Sequence, residues 1–432
     1  MQLYGVIGHP ILHSRSPDLF RQAFAAENRP ADYLRLAARR FDRAIDLAQS
    51  LGLAGLNVTS PFKKDAAGGA DSLAETAARL GVVNVLIRQN EKWRGDNSDV
   101  CGVLATLREG GFEPQGKRCV ILGAGGAARA ALLALRLGRA SRLTVINRTW
   151  TKAQAVAGEF ATEARAFSQL PAALAAADLL ISCLPPGADP VVAEWLPAGL
   201  TVLEANYHQP LLSPKARARG CRTIDGRRWL VHQARDAYRL FFGAPPPEGA
   251  MTADWPPPPA AKPAIALIGF MGTGKSSLGR ALAQRLSAPC FDLDESIGQH
   301  TGRAIAQIFA EQGEAEFRRI EKDILHGLPL AEPPVIACGG GVLLDEANRR
   351  FLQQHAVCVW CWSALPAILA RTTDQTRPLL AVADREPVAR RLLAERIPLY
   401  AAVADLVLDT EKQSIETAAD LLADEIRSAR NR

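Results

Sequence analysis

The sequence predicts an α/β protein with mainly parallel sheets, built as two nucleotide-binding halves. Three observations carry this: strand-length apolar runs alternate with helical stretches through the 432 residues; two different glycine-rich loops each stand between an apolar run and a helix; and a proline-rich stretch separates them.

Taken in order, strands are expected at Tyr4–Ile7, Gly55–Val58 and Val82–Ile87, and helices at Ser16–Asn28 and Phe41–Ser50. These make a first α/β domain over residues 1–102, completed by 226–243, where Trp229–Phe242 reads as a helix. Residues 103–225 form a second domain. There the strand Cys119–Leu122, a glycine turn, an Ala/Leu helix to Leu137 and the strand Leu143–Ile146 make a βαβ unit, and Asp178–Ser182 and Thr201–Glu204 continue the parallel sheet. The turn, Gly123-Ala124-Gly125-Gly126-Ala127-Ala128, fits G-x-G-x-x-A in the context of a Rossmann-type site, where backbone N–H groups and a helix N-terminus meet a pyrophosphate. After the second strand, Asn147-Arg148-Thr149, with Lys152 one turn on, offers cations where an NAD-selective site places a carboxylate. That favours NADPH; the plain alternative is a helix-capping Thr149 beside solvated basic residues.

Residues 244–263 contain eight prolines and read as a semi-rigid polyproline spacer. The halves are therefore expected to be independent, any intermediate passing between them through solution, and Met251 leaves open a separately translated second half. Residues 264–432 form a third domain, beginning with the buried strand Ala264–Ile268 and the helix Ser277–Leu286. Between them Gly269-Phe270-Met271-Gly272-Thr273-Gly274-Lys275-Ser276 is a full P-loop. Its backbone N–H groups cradle phosphates, with Ser277 at the opening of the helix; Lys275 reaches the β/γ oxygens of ATP, and Ser276 offers a hydroxyl to Mg²⁺.

Composition bounds the partners. With 48% hydrophobic and 22% charged residues and no apolar run long enough to span a bilayer, a cytoplasmic protein without membrane contact is expected. The net charge of +6 is uneven, with 32 basic against 23 acidic residues over 1–263 and 19 against 22 beyond. No basic run interleaves with aromatics, so nucleic acid is excluded as a partner. Cys358 and Cys361 form the sole C-x-x-C, but on a strand an offset of three points them to opposite faces, which does not suit a metal.

Residues from about 1 to 243 resemble shikimate dehydrogenase. The likeness rests on Gly8-His9-Pro10-Ile11-Leu12-His13-Ser14-Arg15-Ser16-Pro17, Asn57-Val58-Thr59-Ser60-Pro61-Phe62-Lys63 and Gly95-Asp96-Asn97-Ser98-Asp99. It implies that Ser14 and Ser16 hold the substrate carboxylate, that Asn57, Thr59, Asn84 and Asp99 contact ring hydroxyls, and that Tyr207 and Gln233 add substrate contacts. Lys63 and Asp99 match the catalytic pair. An ammonium can donate a proton to the oxygen that hydride transfer leaves charged, and a carboxylate can orient it. The chain departs from the family's pattern at Ser182-Cys183-Leu184-Pro185-Pro186, at Asp225-Gly226-Arg227-Arg228-Trp229, where bulky residues stand near the expected nicotinamide, at Leu19-Phe20, and at Val100.

Beyond the P-loop stand Asp292-Leu293-Asp294, Gly313-Glu314-Ala315-Glu316-Phe317-Arg318-Arg319-Ile320-Glu321, Gly339-Gly340-Gly341 and Glu395-Arg396-Ile397-Pro398-Leu399-Tyr400, and through these motifs residues from about 264 to 430 resemble shikimate kinase. The likeness implies that Asp292 faces the Mg²⁺ water shell and Asp294 the acceptor hydroxyl, and that Arg318, oriented by Glu321, and Arg396 bind the substrate carboxylate. It also implies that Gly339, Gly340 and Gly341 turn beneath the ring, that Arg377 belongs to the lid, and that Arg371 stacks on adenine. Together the two likenesses imply a bifunctional enzyme that reduces 3-dehydroshikimate to shikimate and then phosphorylates shikimate. Two alternatives stay open: a working kinase with a non-catalytic dehydrogenase-like module, and a quinate-type dehydrogenase preferring NAD.

Overall fold

The computed structural model describes residues 1–255, 259–372 and 384–431. Its strands in chain order are β1 Gln2–Gly8, β2 Ala31–Ala37, β3 Gly55–Val58, β4 Ser72–Leu73, β5 Val85–Gln89, β6 Lys92–Asp96, β7 Arg118–Leu122, β8 Arg142–Ile146, β9 Glu163–Arg165, β10 Leu179–Ser182, β11 Thr201–Glu204, β12 Arg222–Ile224, β13 Ala264–Ile268, β14 Cys290–Asp292, β15 Val335–Ala337, β16 Ala356–Trp362 and β17 Leu406–Asp409. The chain divides into two compact units along lines other than those the proline stretch suggests. One holds Met1–Pro17, Pro30–Ala54 and residues 256–431; the other holds Asp18–Arg29 and Gly55–Trp255.

In the second of these, a six-stranded parallel sheet runs β9-β8-β7-β10-β11-β12. Strand order reverses between β7 and β10, so this is a doubly wound Rossmann sheet with its ligand crevice at the carboxyl ends of those two strands. Alternation along β7 feeds two cores. Cys119 and Ile121 join Ala128, Leu132, Leu135 and Trp229 on one face, and Val120 and Leu122 join Leu174, Leu200 and Leu212 on the other. Beside this sheet β3 pairs antiparallel with β5, β5 antiparallel with β6, and β4 parallel with β6.

Helix Gly226–Phe242 starts at a close approach, since a Cβ on Gly226 would stand 2.1 Å from the Glu204 backbone oxygen. Gly226→Ala is therefore expected to destabilise the protein by about 1–3 kcal/mol, because a backbone oxygen inside a parallel sheet cannot yield as a flexible side chain would. Chemical denaturation followed by intrinsic fluorescence measures it, and an unchanged midpoint would refute the steric account.

In the other unit the parallel order is β14-β15-β13-β16-β17-β2-β1. The stretch from β14 to β17 is a P-loop sheet with β13 at its centre. Its last strand does not end in solvent: Val407 pairs with Leu36 and Leu408 with Ala37. An unpaired edge exposes a row of N–H and C=O groups, and β2 covers this one. Trp362 Nε1 donates to Ser50 Oγ at 2.9 Å, and Lys412 pairs with Asp46 at 3.1 Å.

The expectation of independence across residues 244–263 is thus corrected. The cause is this long-range strand pairing, which no local pattern announces. The stretch itself also packs, in its described part. Met251 is fully buried, Arg235 Nη2 donates to its carbonyl at 3.0 Å, and Gln22 Nε2 donates to the Asp254 carbonyl at 2.8 Å. On the far side Lys262 pairs with Asp405 at 2.7 Å. Among the described residues no helix is long and apolar enough to cross a membrane.

Candidate active sites

At the end of β7 the chain turns through Gly123 at φ 123°, where a Cβ would lie 3.0 Å from the Cys183 carbonyl oxygen. Cys183 directly follows β10, so the glycine turn and the divergent segment Ser182–Pro186 meet where the strand order reverses. Desolvation pushes the Cys183 thiol up to about 12, which keeps it out of thiolate chemistry at neutral pH. Gly125 precedes helix Gly126–Leu137 without a side-chain cap, and a Cβ on it would meet nothing within 4 Å. The first N–H groups of that helix, at Gly126, Ala127 and Ala128, lack intrahelical partners and sit at the positive end of the helix dipole. Beyond β8, Arg148 and Lys152 are exposed and have no ion-pair partner among the described residues. Thr149 stands at the N-cap of the helix that follows without a side-chain capping bond, and Asn147 Nδ2 donates to the Thr149 carbonyl at 3.1 Å.

The predicted substrate residues of this unit converge. Lys63, at the start of helix Lys63–Gly69, places Nζ 2.5 Å from Asp99 Oδ2, and its stem would meet a Cβ on Gly126 at 3.2 Å. Asp99 opens helix Asp99–Glu109, and its N–H donates to Asn97 Oδ1 at 3.0 Å. Asn84 Oδ1 accepts from the Ser98 N–H at 2.8 Å, Asn84 Nδ2 donates to Ser98 Oγ at 3.1 Å, and that hydroxyl donates to Gln233 Oε1 at 3.4 Å. Asn57 Nδ2 donates to the Asn84 carbonyl at 3.2 Å. Thr59 sits one turn before Lys63, its carbonyl accepting from the Phe62 N–H at 3.0 Å. Ser98, to which the sequence motif assigns no role, is the hub of this network. Tyr207 makes ring contacts with His208 at 4.2 Å and Trp255 at 6.2 Å.

Of the divergent positions, Leu19, Phe20, Val100 and Trp229 are buried, whereas Pro185, Pro186 and Arg228 are exposed. Trp229 is buried in the core, where a Cβ on Gly102 would lie 2.9 Å from its Cδ1, and Arg228 pairs with Glu109 at 3.5 Å. Phe20 is fully buried in ring contacts with Phe24, Tyr238 and Phe241.

In the unit containing the N-terminus, Ser14 and Ser16 are buried and their hydroxyls lie 3.4 Å apart. The P-loop of the same unit follows β13. Gly269, Gly272 and Gly274 all take positive φ, and a Cβ on Gly269 would stand 2.5 Å from the Cys361 carbonyl oxygen. Lys275 is buried and donates to the carbonyls of Gly269 at 2.9 Å and Phe270 at 2.8 Å, while Thr273 Oγ1 donates to Phe270 at 2.8 Å. Ser276 and Ser277 follow on helix Lys275–Leu286. Asp292 ends β14 and caps the next helix through Oδ1, accepting from Asp294 N at 3.0 Å; its Oδ2 makes no hydrogen bond among the described residues.

The glycine turn after β15 is enclosed by the predicted carboxylate binders. A Cβ on Gly339 would lie 2.4 Å from Glu321 Oε1 and 3.3 Å from Asp294 Oδ1, and one on Gly341 would lie 2.2 Å from Arg318 Nη2. Glu321 is fully buried; Oε2 accepts from Arg318 Nη1 at 2.7 Å while Oε1 has no partner, and burial raises its carboxyl above the usual range. Arg396 Nη1 at 3.2 Å and Tyr400 Oη at 2.7 Å both donate to the Gly340 carbonyl. Tyr400 follows Arg396 by four residues on the same helix, and burial raises its phenol. Gly340 also approaches the P-loop, its Cβ position being 3.2 Å from Met271 N. Arg371 is held by Ser363 Oγ at 3.3 Å and the Thr410 carbonyl at 3.2 Å. Arg377 lies outside the described residues.

A Rossmann crevice with a Lys–Asp pair beside its helix, and a P-loop beside a buried Arg–Glu cluster, define a nucleotide-dependent α/β enzyme with two centres. Family models agree: the shikimate dehydrogenase substrate binding domain matches residues 6–86, shikimate / quinate 5-dehydrogenase residues 106–193, and shikimate kinase residues 271–427. A shikimate dehydrogenase (NADP(+)) of Symbiobacterium thermophilum is 36% identical over 271 residues, 58% of this chain and 92% of its own. A shikimate kinase of Xanthomonas campestris pv. campestris is 41% identical over 162 residues, 37% of this chain and 90% of its own. Among solved structures, a quinate dehydrogenase from Corynebacterium glutamicum in complex with NAD is similar with a TM-score of 0.53 and 30% identity, covering 57% of this chain and 95% of that one. The chain belongs to the shikimate dehydrogenase family in its first part and to the shikimate kinase family in its last, the domains of two enzymes fused in one polypeptide.

Proposed function

We propose that the chain reduces 3-dehydroshikimate to shikimate with NADPH and phosphorylates shikimate to shikimate 3-phosphate with ATP and Mg²⁺. The observation that carries the reading is that each candidate reacting group stands against a nucleotide loop. Lys63, paired with Asp99, leans on Gly126 of the dinucleotide turn, and the turn bounded by Asp294, Arg318, Glu321 and Arg396 abuts Met271 of the P-loop. When bound, the reduced nicotinamide supplies hydride, and ATP with Mg²⁺ supplies the phosphoryl group and part of its charge neutralisation.

The chain's own groups do the rest. Lys63 donates a proton to the ketone oxygen and Asp99 holds that ammonium in line, while Ser14 and Ser16 hold the carboxylate and Asn57, Thr59, Asn84, Gln233 and Tyr207 contact the rest of the substrate. In the kinase half, Asp294 orients the acceptor hydroxyl, Arg318 and Arg396 hold the carboxylate, and Lys275 and Arg377 offset charge on the transferring group. Ser276 and Asp292 are the Mg²⁺ side, and the free Oδ2 of Asp292 suits a metal-bound water. Arg371 presents its guanidinium to adenine.

A coupled assay supplying 3-dehydroshikimate, NADPH and ATP tests both halves, by NADPH absorbance and by phosphorylated product. Phosphorylation without NADPH oxidation would reduce the first half to a binding module. Cofactor choice has its own test: Arg148→Ala is expected to lower kcat/KM with NADPH by about ten- to a hundredfold, the worth of a hydrogen bond to a charged group, and to leave the NADH rate nearly unchanged. Equal losses with both cofactors, or faster wild-type turnover with NADH, would favour the NAD-preferring quinate-type reading that the Corynebacterium structure motivates.

A further inference from the structure

The loop between β1 and Ser16 is fastened by a residue from the far end of the chain. Glu425 lies on helix Ile415–Arg430, the last helix of the kinase region, with its side chain fully buried. Its Oε2 accepts from the backbone N–H of Ile11 at 2.7 Å and of Leu12 at 2.9 Å, and its Oε1 lies 3.2 Å from His9 Nδ1. The next bond in the loop runs from the Ser14 N–H to the Ile11 carbonyl at 2.9 Å. From the other side buried Arg35 on β2 donates through Nε to the Ser14 carbonyl at 2.8 Å and through Nη1 to the Asp405 carbonyl, next to β17, at 3.3 Å. The backbone that presents Ser14 and Ser16 is thus tied at Ile11, Leu12 and Ser14, and the tie at Ile11 and Leu12 is a kinase-region carboxylate.

We propose that Glu425 is a positioning residue for the dehydrogenase reaction, contributed by the kinase region: it fixes the Ile11–Leu12 backbone so that the two serine hydroxyls stay aimed at the substrate carboxylate. The inference rests on the reading of Ser14 and Ser16 as that carboxylate's binders. A carboxylate accepting two backbone N–H bonds makes charge-assisted contacts, and removing it strands both donors in a buried place. The loop can then relax away from its productive geometry without disturbing Lys63, Asp99 or the P-loop, so substrate affinity suffers rather than chemistry.

Steady-state kinetics of both activities in the full chain test this, with Glu425→Ala, Glu425→Gln and a Ser14→Ala/Ser16→Ala double variant. Glu425→Ala is expected to raise KM for 3-dehydroshikimate by about ten- to a hundredfold, as losing hydrogen bonds to a charged group does. Its kcat, its KM for NADPH and its phosphorylation of shikimate should stay near wild type. Glu425→Gln keeps a neutral acceptor for the same N–H groups and should raise KM only several-fold. The double serine variant should raise KM in the same way. A normal KM in Glu425→Ala beside a raised one in the serine variant overturns the role of Glu425 and leaves the serine reading standing. A normal KM in the serine variant overturns that reading, and the inference with it. If Glu425→Ala also loses phosphorylation, Glu425→Gln decides: a raised KM with intact phosphorylation supports the inference, and a wild-type KM overturns it.

Discussion

Lys63→Ala is expected to lower kcat for NADPH oxidation by about 10²–10⁴-fold, the usual worth of a positioned general acid, with KM for NADPH little changed. The expectation rests on one short contact and its setting. Nζ sits 2.5 Å from Asp99 Oδ2, and Asp99 is itself fixed at the first turn of helix Asp99–Glu109. Phosphorylation of shikimate by the same variant should be intact, which makes it an internal control for folding. Lys63→Arg should rescue little, since a guanidinium stays protonated and cannot hand a proton to the developing alkoxide. A rate within a few-fold of wild type would remove Lys63 from the chemistry and return it to the status of a loop lysine.

Lys275→Ala is expected to lower the phosphorylation rate by at least about 10²–10³-fold, as losing a preorganised charge stabiliser does, and to leave NADPH oxidation untouched. The side chain is buried against the P-loop carbonyls of Gly269 and Phe270, so its charge is already fixed beside the phosphate cradle before any nucleotide arrives. Asp294→Asn should also abolish most phosphorylation, because Asp294 shares the Gly339 turn with the buried Glu321. Product formation followed by mass spectrometry measures both, and retention of activity in both variants would refute the roles given to them.

What the sequence made legible is what local chemistry dictates. Phe41–Ser50, Gly55–Val58, Thr201–Glu204 and Ala264–Ile268 match the observed elements end to end, since each is a clean periodic run between breakers. Strand β2 was missed because Asp32 and Arg35 interrupt its apolar run. Both are buried, and Arg35 is tied to Ser14 and Asp405, whose positions a local pattern cannot supply. Strand β6 went unnoticed because Lys92 and Arg94 make it look like a loop. Strand β5 begins at Val85 rather than Val82, since the preceding residues turn into the Asn84 network. The motifs named Lys63, Asp99, Arg318, Glu321 and Arg396, but not Glu425, a glutamate on an amphipathic helix with nothing in its neighbourhood to set it apart.

Strand β2 beside β17 also fixes an order of events in synthesis. Ile11 and its carboxylate partner are 414 positions apart, so during synthesis the edge of β2 stays uncovered until the segment carrying β17 and Glu425 has been made. At about 5–20 residues per second that wait lasts tens of seconds, with an open strand edge exposed throughout. Until then β2 depends on β1 alone for its strand pairing, and the open edge can pair with another chain.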